Sequence, residues 1–198
     1  MESMRFLIIS DNHEDQTNIG KLIAAQSSEK FDKIIISGDF MNLTPEQCRD
    51  ASFRTSSIGH INGITDKLKD AFNLGSESVI VVPGNHDHID LFENPGCLRA
   101  KNVHKQCIKL ANGLYIGGQG GSLPAYNTST NEQVWEGFPY NSEKELADDL
   151  QPVLESYKAL EQGAQFIHVS HVGPSLSPTT IADKASAQPI KSGSDSLN

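Results

Sequence analysis

Three things are scarce in this 198-residue chain: cysteine, positive charge and long apolar runs. The three cysteines, Cys48, Cys97 and Cys107, are odd in number and form no Cys-x-x-Cys pair. That usage argues against a disulfide framework and a thiolate zinc site, and it fits a reducing compartment. Lys and Arg number 16 against 25 Asp and Glu, giving a formal net charge of −9 with His neutral. The deficit argues against long nucleic acid as a partner, because a phosphate backbone is gripped by clustered cations. It does not exclude a small phosphorylated substrate or a phosphoprotein, since bound metal ions invert the local charge. The first apolar run, residues 6–9, is too short for a signal segment or a membrane span, so the sequence reads as a soluble, cytoplasmic protein. What is present is ordinary for a globular protein, 37% apolar and 21% charged residues in a length that suits one domain.

Four short runs rich in Ile and Val stand out, at residues 6–9, 34–36, 79–82 and 166–169. They do not alternate strictly, which suits strands buried on both faces. Residues 17–30 form a helix between the first two runs, with Ile19, Leu22, Ile23 and Gln26 on one side. Ile58, Ile61, Ile64, Leu68 and Phe72 recur at helical spacing before the third. Strand and helix signals alternate, so the first half is α/β. The middle differs: residues 102–103, 107–110 and 114–116 are short β-like pieces, and Asn112-Gly113 is a hairpin turn. They predict a second sheet, mostly antiparallel. Ser142 opens a late helix with Glu145 three residues on, as a capping box requires, and Pro152 is placed to kink it. Residues 1–174 read as one domain and residues 175–198, rich in Ser, Pro and Ala, as a flexible loop or tail.

Each apolar run is followed at once by residues that bind metal ions. The first leads into Ser10-Asp11-Asn12-His13, the second into Ser37-Gly38-Asp39, the third into Pro83-Gly84-Asn85-His86-Asp87 and the fourth into Ser170-His171. In an open α/β sheet, ligand sites form outside the carboxyl ends of the strands, so neighbouring parallel strands would bring all four groups together. Oxygen and imidazole donors without thiolate favour Mn, Fe or Zn. Asp11 and His13 can be aimed at one ion, and Asp39 has two oxygens with which to bridge two. Two ions roughly 3.5–4 Å apart can hold a hydroxide and clamp a phosphoryl group for in-line attack.

Asp-x-His, Gly-Asp, Gly-Asn-His-Asp and a later His after a strand, in that order, resemble the calcineurin-like metallophosphoesterase pattern over residues 4–174. The Gly84-Asn85-His86-Asp87 block is its most specific part. The resemblance implies an α/β fold, a four-layer α-β-β-α sandwich of two mixed sheets. It assigns Asp11, His13 and Asp39 to one metal ion and Asp39, Asn85 and His171 to a second. It makes His86 the group assisting the leaving alcohol and Asp87 the carboxylate that orients His86. The implied activity is hydrolysis of a phosphomonoester or phosphodiester by a metal-bridging hydroxide. The family's usual Gly-His-x-His block does not follow His171 before Asn198, and its final strands are missing with it. Each metal shell would then be short of one His, and the two divalent ions only partly loaded. Three explanations stand open: a truncated gene product, a divergent member with a weakened site, or a partner chain that completes the sheet. The alternative to catalysis is a non-catalytic scaffold that binds a partner protein at an open sheet edge.

Other residues have plainer readings. His168 alternates away from His171 on its strand and reads as a buried, hydrogen-bonded core residue. His88 reads as a helix start or surface residue, His104 as exposed, and Gly117 to Gly121 as a turn that lacks the Lys-Ser/Thr of a phosphate loop. Trp135, Phe138 and Tyr140 either line a substrate cleft or pack a loop onto the domain.

Overall fold

The computed structural model describes residues 3–177, 181–182 and 190–198. Three of the four apolar runs become neighbouring strands, β1 (Phe6–Ile9), β2 (Lys33–Ile36) and β3 (Val79–Val81); the fourth strand beside them is β4 (Lys101–Asn102), expected in the second sheet, while the run at residues 166–169 lies in that second sheet instead. Strands β1 to β4 form a sheet that is parallel throughout, with Ile8 opposite Ile35 and Ile35 opposite Ile80. Helices α1 (Gln16–Ala25) and α3 (Arg54–Ala71) supply the crossovers that parallel neighbours need. The faces of β2 show why its run is apolar without alternation. Ile34 and Ile36 join a core with Ile19 of α1 and Ile61, Ile64 and Leu68 of α3, while Ile35 joins Ile80, Ile116 and Val169 on the other side. Both faces are buried, so every position gains from an apolar side chain, about 1.5–3 kcal/mol for each Ile.

The second sheet has the order β5-β6-β9, from Cys107–Ala111, Leu114–Gln119 and Gln165–Ser170. β5 and β6 form the expected hairpin, with Gly113 at φ 69°. The expectation of a mostly antiparallel sheet holds for that pair, but β6 and β9 are parallel, with Gln119 opposite Ser170. The reason is α5 (Glu143–Lys158), a long return that brings the chain back to the end where β6 begins. The expectation of two mixed sheets therefore holds for the second sheet only.

A third, antiparallel sheet runs β10-β11-β7-β8, from Ile181–Ala182, Ile190–Lys191, Ala125–Asn127 and Gln133–Trp135. Of residues 175–198, read from the sequence as a tail, 178–180 and 183–189 lie outside the described residues. The described part includes β10 and β11. Glu143, at the start of α5, accepts hydrogen bonds from Ser194 Oγ at 2.9 Å and the Asp195 amide at 2.6 Å. No helix among the described residues is long and apolar enough to cross a membrane.

Local sequence explains most helix ends. Asp15 caps α1 by accepting from the Thr17 and Asn18 amides at 2.9 Å, and the helix stops at Ala25, short of the expected residue 30. Ser142 caps α5, but the Glu145 carboxylate reaches past it to the Asn141 amide at 2.7 Å. Pro152 sits inside α5, which continues to Lys158.

His104 departs from expectation. It is 1% exposed, accepts from the Gly120 amide at 3.0 Å and stands edge-on to Phe92 at 5.1 Å. Among the described residues its Nε2 finds no hydrogen-bond partner. Burial, then the Lys105 charge, pushes its pKa down to about 3. That value lies below the unfolded value of about 6.5, so only the unfolded chain takes up this proton as pH falls from about 6.5 towards 3. Stability is then lost in that window, by about 2 kcal/mol between pH 7.5 and pH 5. Gln can keep the acceptor for Gly120 without titrating. Urea midpoints at the two pH values are therefore expected to differ less for His104→Gln than for the unaltered chain; equal differences would refute the assignment.

His168, expected in the core, is exposed on β9, with its ring 6.3 Å from that of Phe166. His88 is a buried helix start: its ring bonds the Asp50 carbonyl at 3.2 Å and the Asp90 amide at 3.1 Å, just ahead of α4 (Asp90–Glu93).

Candidate metal centre

The ends of β1, β2, β3 and β9 converge. Parallel pairing puts the carboxyl ends of β1, β2 and β3 side by side. The amide of His171, just past β9, bonds the Gln119 carbonyl at the end of β6 at 3.1 Å. The loop after β1 is laid on the loop after β2 by bonds from the Asp11 amide to Gly38 O, 3.1 Å, and from the His13 amide to Asp39 O, 2.9 Å. These bonds hold Asp11, His13 and Asp39 at φ 55°, 44° and 54°, a region that side chains rarely adopt. Such conformations cost energy and gather where a site requires them. Gly38, at φ 96°, and Gly84 make the second junction: a Cβ on Gly38 would overlap the Gly84 backbone, and one on Gly84 would overlap Asp39.

Asp39 sits at the middle. Its Oδ2 lies 3.4 Å from His13 Nε2, and its Oδ1 lies 3.5 Å from His171 Nε2. Asp11 Oδ1 is 4.0 Å from the same His13 nitrogen, and Asn85 Oδ1 is 2.9 Å from His171 Nε2. The carboxylate thus turns one oxygen to each of two groups. Ligand atoms of Asp11, His13 and Asp39 all lie within 4.8 Å of one another. The side chains of Asp39 and His171 are 5% and 8% exposed, those of Asp11 and His13 56% and 37%, so one half is sealed and the other open.

The histidine rings are set by backbone carbonyls. Nδ1 of His13 faces Met41 O at 3.2 Å, that of His171 faces Ser37 O at 2.7 Å and that of His86 faces Leu43 O at 2.9 Å. A carbonyl only accepts, so each Nδ1 carries the hydrogen and each neutral ring offers a lone pair at Nε2. At His171 that lone pair meets the oxygens of Asn85 and Asp39. Acceptor atoms that face one another suit a cation between them, and oxygen with imidazole suits a divalent one. The residues present fit the expected metal group.

His86 lies beside this centre, with its amide donating to Asp39 Oδ1 at 2.9 Å and its ring 5.2 Å from His13. Asp87 does not orient it. Its Oδ1 accepts from the Phe40 and Met41 amides, both 2.9 Å, and its Oδ2 from the Gly84 amide, 2.7 Å. Asp87 is 0% exposed. Burial, then the Asp39 charge, pushes its pKa up to about 7, against the amides that favour the ionised form. Its work is to pin the loop after β2 to the loop after β3.

A cleft of about 730 Å³ opens over Asp39, Asn85, His86 and His171. Its outer wall includes Trp135 and Phe138, while Tyr140 packs inward and bonds Gln119 at 2.6 Å and Asp149 at 3.0 Å. The glycine run is no loop at its start: Gly117 and Gly118 belong to β6, and a Cβ on Gly120 would collide with Pro83. Glu46, Ser122, Leu123, Glu136 and Val172 also line the cleft and carry no sequence signal for it. Thr44-Pro45-Glu46-Gln47 announces only the capped start of α2 (Pro45–Arg49).

A family model described as calcineurin-like phosphoesterase matches residues 4–192. One crystal structure superposes with a TM-score of 0.64 at 14% identity, covering 98% of this chain and 77% of the other. The crystal structure of TT1561 from Thermus thermophilus superposes with a TM-score of 0.54 at 18% identity, covering 87% and 69%. At these identities the superpositions speak for the fold alone. No curated protein matches the chain.

Proposed function

The chain belongs to the calcineurin-like phosphoesterase family, and from that premise we propose that it hydrolyses phosphate esters in the cleft above Asp39. The observation that carries this reading is the division of the Asp39 carboxylate, with one oxygen near His13 and the other near His171. In this reading Asp11, His13 and Asp39 hold one divalent ion, and Asp39, Asn85 and His171 hold a second. Bound there, the ions would supply Lewis-acid polarisation of the phosphoryl group and acidify an attacking water.

The remaining work falls to the chain itself. The Ser37 and Met41 carbonyls keep the His171 and His13 rings turned for binding. The Leu43 carbonyl occupies Nδ1 of His86, so this ring exchanges protons through Nε2. In its protonated form His86 gives that proton to the departing alcohol oxygen, a role worth about 10²–10⁴ in rate. A chromogenic phosphate ester with Mn²⁺ tests the reading. The unaltered chain is expected to turn it over, His86→Ala to do so about a hundredfold more slowly, and Asp39→Asn not measurably. Equal rates in all three would refute it.

One observation favours a second reading, a non-catalytic scaffold. Among the described residues β1 pairs with β2 alone, and Ile8 on that edge is 69% exposed. An unpaired apolar edge invites another strand. Absence of bound metal, with a stable complex recovered from the native source, would favour the scaffold; two ions bound per chain would count against it.

A further inference from the structure

The walls of the cleft differ in charge from what a phosphate-binding site usually shows. Among its described lining residues there is no Lys or Arg, yet besides Asp11 and Asp39 of the candidate centre two further carboxylates are there, Glu46 of α2 and Glu136, which directly follows Trp135 at the end of β8. Arg49 stacks over the Phe138 ring at 4.7 Å but does not line the cleft. Glu46 is held ionised: a backbone amide, then the Thr44 hydroxyl at 2.8 Å, keeps its carboxyl below the ordinary value. Trp135 is 38% exposed and lines the cleft, so its indole is accessible there.

A metal centre can neutralise the phosphoryl group, so these walls address the other end of the substrate. Two carboxylates repel a leaving group that carries further phosphates or acidic side chains. An indole face attracts a cation through the negative face of its π-system. A cleft of about 730 Å³ suits a small molecule. We infer that the cleft selects small phosphate esters whose alcohol carries an ammonium group, of the phosphocholine kind, with Trp135 against the cation and Glu46 and Glu136 balancing its charge. The inference rests on the proposed hydrolysis for its chemistry: water adds to phosphorus, the bond from phosphorus to the alcohol oxygen breaks, and the amino alcohol leaves with a proton, giving inorganic phosphate.

Trp135 is the sole tryptophan, so its fluorescence reports the cleft directly. The test titrates the Mn²⁺-loaded chain with phosphocholine and with 3,3-dimethylbutyl phosphate, the same shape with carbon in place of the charged nitrogen, and follows phosphate release in parallel. Phosphocholine is expected to bind about five- to thirtyfold more tightly. The preference is expected to shrink towards unity in the double variant Glu46→Gln, Glu136→Gln. Equal or weaker binding of phosphocholine overturns the inference, as does a preference that survives the double substitution or a Trp135 signal that responds to neither ester. A binding preference without phosphate release would leave the selection standing and refute the hydrolysis.

Discussion

Asp39→Asn is expected to abolish the paired metal centre while leaving the chain folded. Asp39 offers an oxygen to each side, at 3.4 Å from His13 and 3.5 Å from His171. An asparagine offers one oxygen and one NH₂, so whichever side receives the nitrogen meets a donor where it needs a lone pair. The substitution also removes the negative charge that would lie between two dications. Metal content by mass spectrometry is expected to fall from two ions per chain to one or none. Turnover is expected to drop by at least about a thousandfold, about 4 kcal/mol of transition-state stabilisation. His168→Ala serves as the control, since His168 lies on β9 close to His171 in sequence but is exposed. It is expected to keep both ions. Retention of two ions by Asp39→Asn would remove the bridging role.

Asp87→Ala is expected to cost more stability than any change at the metal ligands. Three amides, those of Phe40, Met41 and Gly84, lose their acceptor in a place closed to water. Each buried donor left unpaired costs about 1–3 kcal/mol, so the sum is on the order of 3–9 kcal/mol. That is a large share of the roughly 5–15 kcal/mol typical of a domain. Asp87→Asn should be milder, about 2 kcal/mol. Its oxygen can still serve Phe40 and Met41, it avoids burying a charge near Asp39, and only its NH₂ faces a donor, at Gly84. Denaturant midpoints test the order Ala, then Asn, then the unaltered chain. A carboxylate that acted by orienting His86 would instead shift the pH profile of turnover at unchanged midpoint. That outcome would restore the role the sequence suggested.

The difference between those two roles shows where the sequence is legible. Gly-Asn-His-Asp places His86 and Asp87 next to each other, and the family resemblance implied that they act as partners. In the folded chain the two side chains diverge, and His86 takes the carbonyl of Leu43 from another loop. His104 and His168 also went the opposite way from their local readings. The burial of His104 depends on Phe92 and Gly120, both remote in sequence. His168 is exposed on β9, where its run of apolar neighbours had suggested the core.

Although residues 102–103 joined the first sheet rather than the second, the sequence by itself determined strands β1 to β3 with helices between them, the hairpin at Asn112-Gly113 and the identity and order of the residues that gather at the centre. These follow from local chemistry: Ile and Val runs buried on both faces make short parallel strands, and whatever follows such strands collects at their carboxyl ends. Only the tertiary structure decided which half of the centre is sealed, which carbonyls set the imidazoles, where Asp87 turns, and that Glu46 and the β7–β8 hairpin wall the cleft. The physical reason is that backbone carbonyls and amides are the same in every residue. What they bond depends on which loops meet, and the meeting of loops far apart in sequence is settled by the packing of the sheets rather than by the loops themselves.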